Sequence, residues 1–159
     1  MNTAEAVSKL ETSKEFADWK KDNFNSFLAN LFAMFDKEPE GEWLVGYYNP
    51  DTKRTTTFFV DELECFKKGE DSTEAPVKQL NMGKVKVELH TALETAKAAF
   101  DKKTGESTQK TIAILQNLDI GQAWNISYMT SSFNMYNIKI DAETAKVVSE
   151  DYGALFRQA

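Results

Sequence analysis

The sequence predicts an α+β protein made of two repeated units, each with a helix packed on an antiparallel sheet. Three observations support this fold class. The chain has 159 residues, of which 42% are hydrophobic and 12% aromatic, enough to bury one core or two small cores in contact. Apolar residues at helical spacing alternate with stretches of strand-like alternation. A short motif, Trp-x-Val/Ile-x-Tyr, occurs at Trp43 and again at Trp124.

The two occurrences of this motif belong to a longer internal repeat. When Trp43 is aligned on Trp124, Val45 falls on Ile126 and Tyr47 falls on Tyr128. After the following turn the alignment shifts by one residue, and turns are where a single deletion is best tolerated. We therefore expect two units of similar layout, 1–78 and 79–159.

Each unit opens with a predicted helix. In the second unit Leu89, Leu93, Ala96 and Phe100 recur at helical spacing, which indicates a helix with one buried face. In the first unit Ser13 is a suitable N-cap, and the helix that follows it would bury its aromatic residues.

The stretch "NSFLANLFAMF", residues 25–35 with the flanking Phe24, is ambiguous. Phe24, Phe27, Leu28, Leu31 and Phe35 fit a continued helix. The repeat instead sets this segment opposite "KTIAILQNL", which has the composition of a strand. Short apolar runs cannot be assigned by periodicity alone, and for residues 24–35 we favour a strand.

The remaining strands are marked by their turns. Residues 43–48 and 54–60 flank "NPDTK", and residues 123–130 and 134–140 flank "SSF". Pro, Asn and Asp suit such turns, and runs of Thr, Phe and Val favour strands. A short last strand is expected in each unit, near 63–67 and 145–148. The polar stretch "KKGEDSTEAP" is predicted to be a linker or an exposed loop.

Side-chain alternation assigns the faces of the predicted sheets. The face of Trp43 and Tyr47, and that of Trp124 in the second unit, should carry the helices. The reverse face of the second unit is polar, whereas that of the first presents Leu44, Tyr48 and Phe59.

A largely apolar reverse face needs a cover, so Leu44, Tyr48 and Phe59 are the candidate binding residues. The cover could be the other unit, the segment 24–35, the C-terminal "YGALFRQA", another subunit, or a ligand or partner protein. Among these we favour a second copy of the chain, in a homodimer.

Residues 85–150 resemble the PepSY domain family. The resemblance is carried by "VKVELHTALETAKAAF", "AWNISY" and "YNIKIDAETAKVV", in which Asp141, Ala142 and Thr144 match the family's Asp-Ala-x-Thr-Gly turn. Ala145 replaces the glycine, so a different backbone conformation is expected in this turn. The resemblance implies a small cystatin-like arrangement of a helix on an antiparallel sheet. It also implies a role in binding or regulation, since family members occur beside peptidase domains, and it brings no catalytic residues.

The charge and composition of the chain disfavour several classes of partner. The net charge is −6 and the isoelectric point is about 4.9, which disfavours nucleic acid and anionic membrane surfaces as partners. No apolar run approaches the roughly 20 residues of a membrane span, and we expect a cytoplasmic protein. Cys65 is the only cysteine, so an intramolecular disulfide is impossible.

The residue types that carry catalysis occur without their usual companions. His90 is the only histidine, and no nucleophile motif accompanies it or Cys65. No phosphate loop or dinucleotide fingerprint is present, and we expect neither cofactor nor metal. The sequence thus favours a non-enzymatic binding or regulatory module acting through protein contact, and the PepSY resemblance implies a peptidase-inhibitor-like role as one form of it. The alternative is a small-ligand-binding protein or an enzyme with a pocket between helix and sheet.

Overall fold

The computed structural model describes residues 1–155, which contain three α-helices, eight strands and one 3-10 turn, Met82–Lys84. The helices are α1 (Thr3–Glu11), α2 (Lys14–Lys21) and α3 (Leu89–Lys103). The strands are β1 (Phe27–Phe35), β2 (Trp43–Asn49), β3 (Arg54–Val60), β4 (Cys65–Ser72), β5 (Thr108–Leu118), β6 (Gly121–Thr130), β7 (Asn134–Asp141) and β8 (Val147–Ala154).

All eight strands belong to one sheet with antiparallel neighbours, in the order β4-β3-β2-β1-β5-β6-β7-β8. The two halves of the chain meet at its centre, where Leu31 pairs with Leu115 and Ala33 pairs with Ala113. The predicted fold class, two repeated helix-on-sheet units, is therefore wrong. The protein has one continuous sheet, with two short helices before β1 and a single longer helix before β5.

The error has a physical origin. Alternation along a strand shows which residues share a face, but it does not show which strand lies at each edge. In two separate units, β1 and β5 would each be an edge strand with apolar residues on both faces. Pairing them removes two exposed edges of the kind that favour aggregation. The predicted boundary at 78/79 falls in the segment between β4 and the 3-10 turn.

The core lies between the helices and one face of the sheet. Trp124 has no exposed surface and Trp43 is 4% exposed, which confirms their predicted burial. Their ring centroids are 6.1 Å apart, across the centre of the sheet. The indole N–H of Trp124 donates to the carbonyl oxygen of Val87 at 2.8 Å, so the polar atom of this buried side chain is paired.

Several local predictions are confirmed and two are wrong. Segment 27–35 is a strand, and the Ser13 hydroxyl caps α2 by accepting from the Phe16 N–H at 3.2 Å. The last strands, β4 and β8, are longer than predicted, at eight residues each. The predicted linker is wrong in its first part, because residues 67–72 belong to β4. Polar and charged side chains are compatible with an edge strand, so polarity did not distinguish it from a loop.

The turn between β7 and β8 is organised by one carboxylate. Asp141 accepts hydrogen bonds from the backbone N–H groups of Glu143 at 2.8 Å and Thr144 at 3.0 Å. These bonds lower the pKa of Asp141 below its ordinary value. Ala145 has φ +67°, in the left-handed region that favours glycine. Alanine at this position therefore adopts a conformation that glycine would favour.

This strain gives a stability prediction. Ala145→Gly should raise the free energy of unfolding by about 1 kcal/mol, because glycine adopts a positive φ without steric cost. Ala142→Gly is the matched control. Ala142 is fully buried in the same turn and does not have a positive φ, so this variant should lower the free energy of unfolding. Urea unfolding at neutral pH measures both free energies. A loss of stability in Ala145→Gly as large as that in Ala142→Gly would contradict the assignment of strain to Ala145.

Candidate functional site

The face of the sheet opposite the helices, here called the open face, carries an uncovered group of apolar side chains. None of them belongs to the buried core of residues 1–155. Met34 is 55% exposed and Phe66 is 37% exposed, and the other members are half-buried. This group, the apolar patch, consists of Phe32, Met34, Leu44, Phe59, Phe66, Ile112 and Ile114.

Strand register places most of the patch in one row. Phe66, Phe59, Leu44, Phe32 and Ile114 are successive pairing partners across β4, β3, β2, β1 and β5. The rings of Phe59 and Phe66 stack with centroids 5.0 Å apart. Beyond Ile114 the row continues into Asn125 and Lys139, so the patch ends near the middle of the sheet.

The three predicted binding residues all lie on the open face, but they are not equivalent. Leu44 and Phe59 are direct partners at the centre of the patch. Tyr48 is only 9% exposed because its ring packs edge-to-face on Phe27 at 5.6 Å. Gly46 stands between Leu44 and Tyr48 on β2, so the patch is interrupted there.

Sequence reasoning missed five members of the patch: Phe32, Met34, Phe66, Ile112 and Ile114. Once segment 27–35 is read as a strand, alternation from Leu31 places Phe32 and Met34 on the open face. Phe66 lies within the last strand predicted near 63–67 and would have followed from applying the same alternation to that strand. The signal was therefore present, and the ambiguity between helix and strand obscured it.

The structure also bears on the intramolecular covers considered from sequence. Segment 24–35 does not cover the patch, because it forms the central strand β1 and contributes two of its residues. Of "YGALFRQA", residues 152–154 belong to the edge strand β8, and residues 156–159 lie outside the described residues.

Two charged side chains flank a depression in the patch. The depression has a volume of about 140 Å³, and Leu44 and Phe59 line it together with Glu42 and Lys68. Neither Glu42 nor Lys68 takes part in an ion pair among residues 1–155. The patch thus carries one carboxylate and one ammonium group whose charges have no partner within the described chain.

The other half of the open face is polar and internally hydrogen-bonded. The Asn137 side-chain amide donates to Asn125 Oδ1 at 2.6 Å and to Ser127 Oγ at 2.9 Å. The ammonium group of Lys139 donates to Asn137 Oδ1 at 2.9 Å. Such a network is a solvated surface that needs no cover, and it leaves the apolar half as the candidate contact region.

A larger cavity of about 390 Å³ lies on the helix side, between the starts of α1 and α3 and the β1–β2 loop. Trp43, Ala33 and Leu89 are among its apolar lining residues, and Glu88 and His90 also line it. The Glu88 carboxylate accepts from the Thr3 hydroxyl at 3.4 Å, which ties the first turn of α1 to the start of α3. Within residues 1–155 His90 has no hydrogen bond to a serine, cysteine or carboxylate.

Tyrosines with strongly raised pKa values lie in the core. Burial and then a hydrogen bond to the Glu11 carboxylate, at 2.6 Å, raise the pKa of Tyr47. Burial and then the nearby Asp101 raise the pKa of Tyr128 to about 12. Both phenols are neutral at ordinary pH and act as structural groups. No three His, Cys, Asp or Glu side chains converge as a metal site within residues 1–155, and no helix there has the length and apolarity to cross a membrane.

Comparison with known proteins gives one structural likeness. No protein-family model and no curated protein sequence matches the chain. The crystal structure of a presumed lipoprotein from Clostridium difficile 630 is similar, with a TM-score of 0.54 and 12% sequence identity. The likeness covers 86% of this chain and 89% of that one. At this identity it concerns the fold alone.

Proposed function

We propose that this protein is a non-enzymatic binding or regulatory module that contacts another protein chain through the apolar patch. The uncovered row from Phe66 to Ile114 is the observation that carries this proposal. Apolar groups that stay in water forgo roughly 25 cal/mol for each Å² they could bury. An antiparallel sheet with one covered face is ordinarily polar on its reverse, as the Asn125–Lys139 half is.

The PepSY resemblance of residues 85–150 agrees with this proposal and adds the regulation of a peptidase as one form it could take. We propose the resemblance as a family relationship for the second half. The contact region that we propose lies chiefly in the first half, on β1 to β4. A peptidase partner would therefore contact mainly strands β1 to β4, which lie outside the residues that resemble the PepSY family.

A second candidate function rests on the cavity near α1 and α3. Its volume of about 390 Å³ is within the range of small-ligand sites, which are mostly apolar with a few polar groups. Trp43 and Leu89 would hold an apolar body, and Glu88 would orient a donor group. A ligand in this cavity would raise the melting temperature of the protein and would leave contacts of the open face unchanged.

The first proposal predicts a position-specific cross-link. Phe66 replaced by the photoreactive p-benzoylphenylalanine should form a covalent adduct with another protein chain when the native cells are irradiated. Phe66 is part of the patch, and this residue keeps an aromatic ring at the same position. Electrophoresis and mass spectrometry of the adduct give the mass and identity of the partner.

Phe24 offers a matched control with the same substitution. It lies before β1 and is 74% exposed, so random encounters would label it at least as well as Phe66. An adduct at position 66 and none at 24 supports contact through the patch. Equal labelling at both positions, or none at 66, would contradict the proposed function.

A further inference from the structure

We propose that the chain covering the apolar patch is a second copy of this protein, related by a twofold axis over Phe59. This inference rests on the proposed function and names its partner. Two features lead to it: the placement of two unpaired charges about Phe59, and the self-complementarity that this placement creates.

Glu42 and Lys68 are arranged symmetrically about Phe59. Phe59 pairs with Leu44 on one side and with Phe66 on the other. Strands β2 and β4 run in the same direction, because both are antiparallel to β3. Glu42 comes two residues before Leu44, and Lys68 comes two residues after Phe66. The Cα atoms of Glu42 and Lys68 therefore lie diagonally opposite each other, with Phe59 between them.

The two charges do not pair within one copy, since no ion pair joins them among residues 1–155. Two strand spacings and somewhat fewer than four residues along the strand separate their Cα atoms by roughly 15 Å. The extra residue that the bulge between Thr57 and Phe58 inserts in β4 is Lys68 itself, and it lines the depression with Phe59. Both side chains line the depression on the open face, and Glu42 also lies at the rim of the cavity on the helix side.

A twofold axis would give both unpaired charges a partner in the other copy. When two such faces meet about an axis that crosses Phe59, perpendicular to the line from Glu42 to Lys68, each carboxylate lies over the partner copy's ammonium group. The contact is isologous, as in most homodimers. Two Phe59 rings meet at its centre, where buried aromatic residues contribute most to binding, and the two ion pairs form at the rim.

The position of the axis limits the contact area. Phe59 is one strand from the β4 edge, so the contact is bounded on that side. A typical stable interface buries about 800 Å² per partner, and this one should bury less. We expect a reversible dimer with a dissociation constant on the order of 10 μM.

Charge exchange tests the proposal by sedimentation velocity over about 1–200 μM protein at low ionic strength, where surface charges are least screened. Glu42→Lys and Lys68→Glu should each weaken the dimer about tenfold or more, because each replaces two attractive contacts with two repulsive ones. The double variant Glu42→Lys/Lys68→Glu should restore the affinity of the original protein, since it recreates both pairs with the signs exchanged.

Matched controls separate this effect from that of net charge. Glu38→Lys and Lys102→Glu make the same charge changes at exposed positions outside the depression, and they should alter the dissociation constant by less than about twofold. Phe59→Lys should abolish the dimer, and its melting temperature at a concentration where the original protein is monomeric shows whether the variant folds.

The outcomes distinguish this inference from the proposed function. An original protein that stays monomeric at every concentration overturns the dimer, and a cross-link from position 66 to a different protein would then leave the proposed function in place. Single variants that behave like their controls, or a double variant that fails to regain affinity, would also overturn it. A cross-linked species of twice the chain mass from position 66, together with rescue by the double variant, supports both.

Discussion

Trp124→Ala should lower the free energy of unfolding by about 3–5 kcal/mol, the range found when large buried aromatic residues are truncated. Trp124 has no exposed surface. It faces Trp43 across the centre of the sheet at 6.1 Å, so its removal leaves a cavity where the two halves of the chain share one core. Because whole domains are stable by only about 5–15 kcal/mol, this one change removes a large fraction of the total. Urea denaturation monitored by circular dichroism measures it.

Two further variants divide this loss into its parts. Trp124→Phe keeps most of the apolar contact but leaves the Val87 carbonyl without the indole N–H that it accepts at 2.8 Å, and it should cost about 1–3 kcal/mol. Ser127→Ala changes the same strand on the open face and should cost less than about 1 kcal/mol. A loss below about 1 kcal/mol for Trp124→Ala would contradict the position of the core.

The sequence was informative about this core because strand alternation and helical spacing report burial directly. Alternation alone predicts that Trp43 and Trp124 lie on the helix-bearing face, and both are buried. Pairing between β1 and β5 has no such signal: each strand is apolar on both faces, and a central strand and a strand of a small separate sheet have the same pattern. The fold class was wrong for that reason.

On the open face, too, alternation predicts the face of a residue but not its neighbours on the adjacent strands. Alternation predicts that Leu44 and Phe59 lie on it, because the hairpin of β2 and β3 has a clear turn. The same rule predicts Tyr48 there, but the exposure of Tyr48 depends on Phe27, which lies in a segment whose sequence fits both a strand and a helix. Glu42 and Lys68 could not be singled out at all, since their relation to Phe59 depends on strand order and on a bulge.

Phe58→Ala should have the second large effect, again about 3–5 kcal/mol. Phe58 is fully buried on the helix side of β3, at the centre of the aromatic cluster that attaches α2 to the sheet. Its ring centroid lies 5.1 Å from that of Trp19, 5.6 Å from that of Phe16 and 6.1 Å from that of Tyr47. Helix α2 has only eight residues, and a helix this short depends on tertiary packing for its stability.

Phe58→Leu tests whether the geometry of the rings matters in addition to the buried volume. Leucine restores most of the apolar contact, so the loss should fall to about 1–2 kcal/mol, the remainder being the edge-to-face contacts of the phenyl ring with Trp19 and Phe16. Thr57→Ala, on the adjacent position facing the open side, is the matched control and should cost less than about 1 kcal/mol. Thermal unfolding and near-ultraviolet circular dichroism follow stability and the packing of Trp19 together. Equal losses for the Phe58 and Thr57 alanine variants would contradict the assignment of these neighbours to opposite faces, and with it the separation of the core from the proposed contact surface.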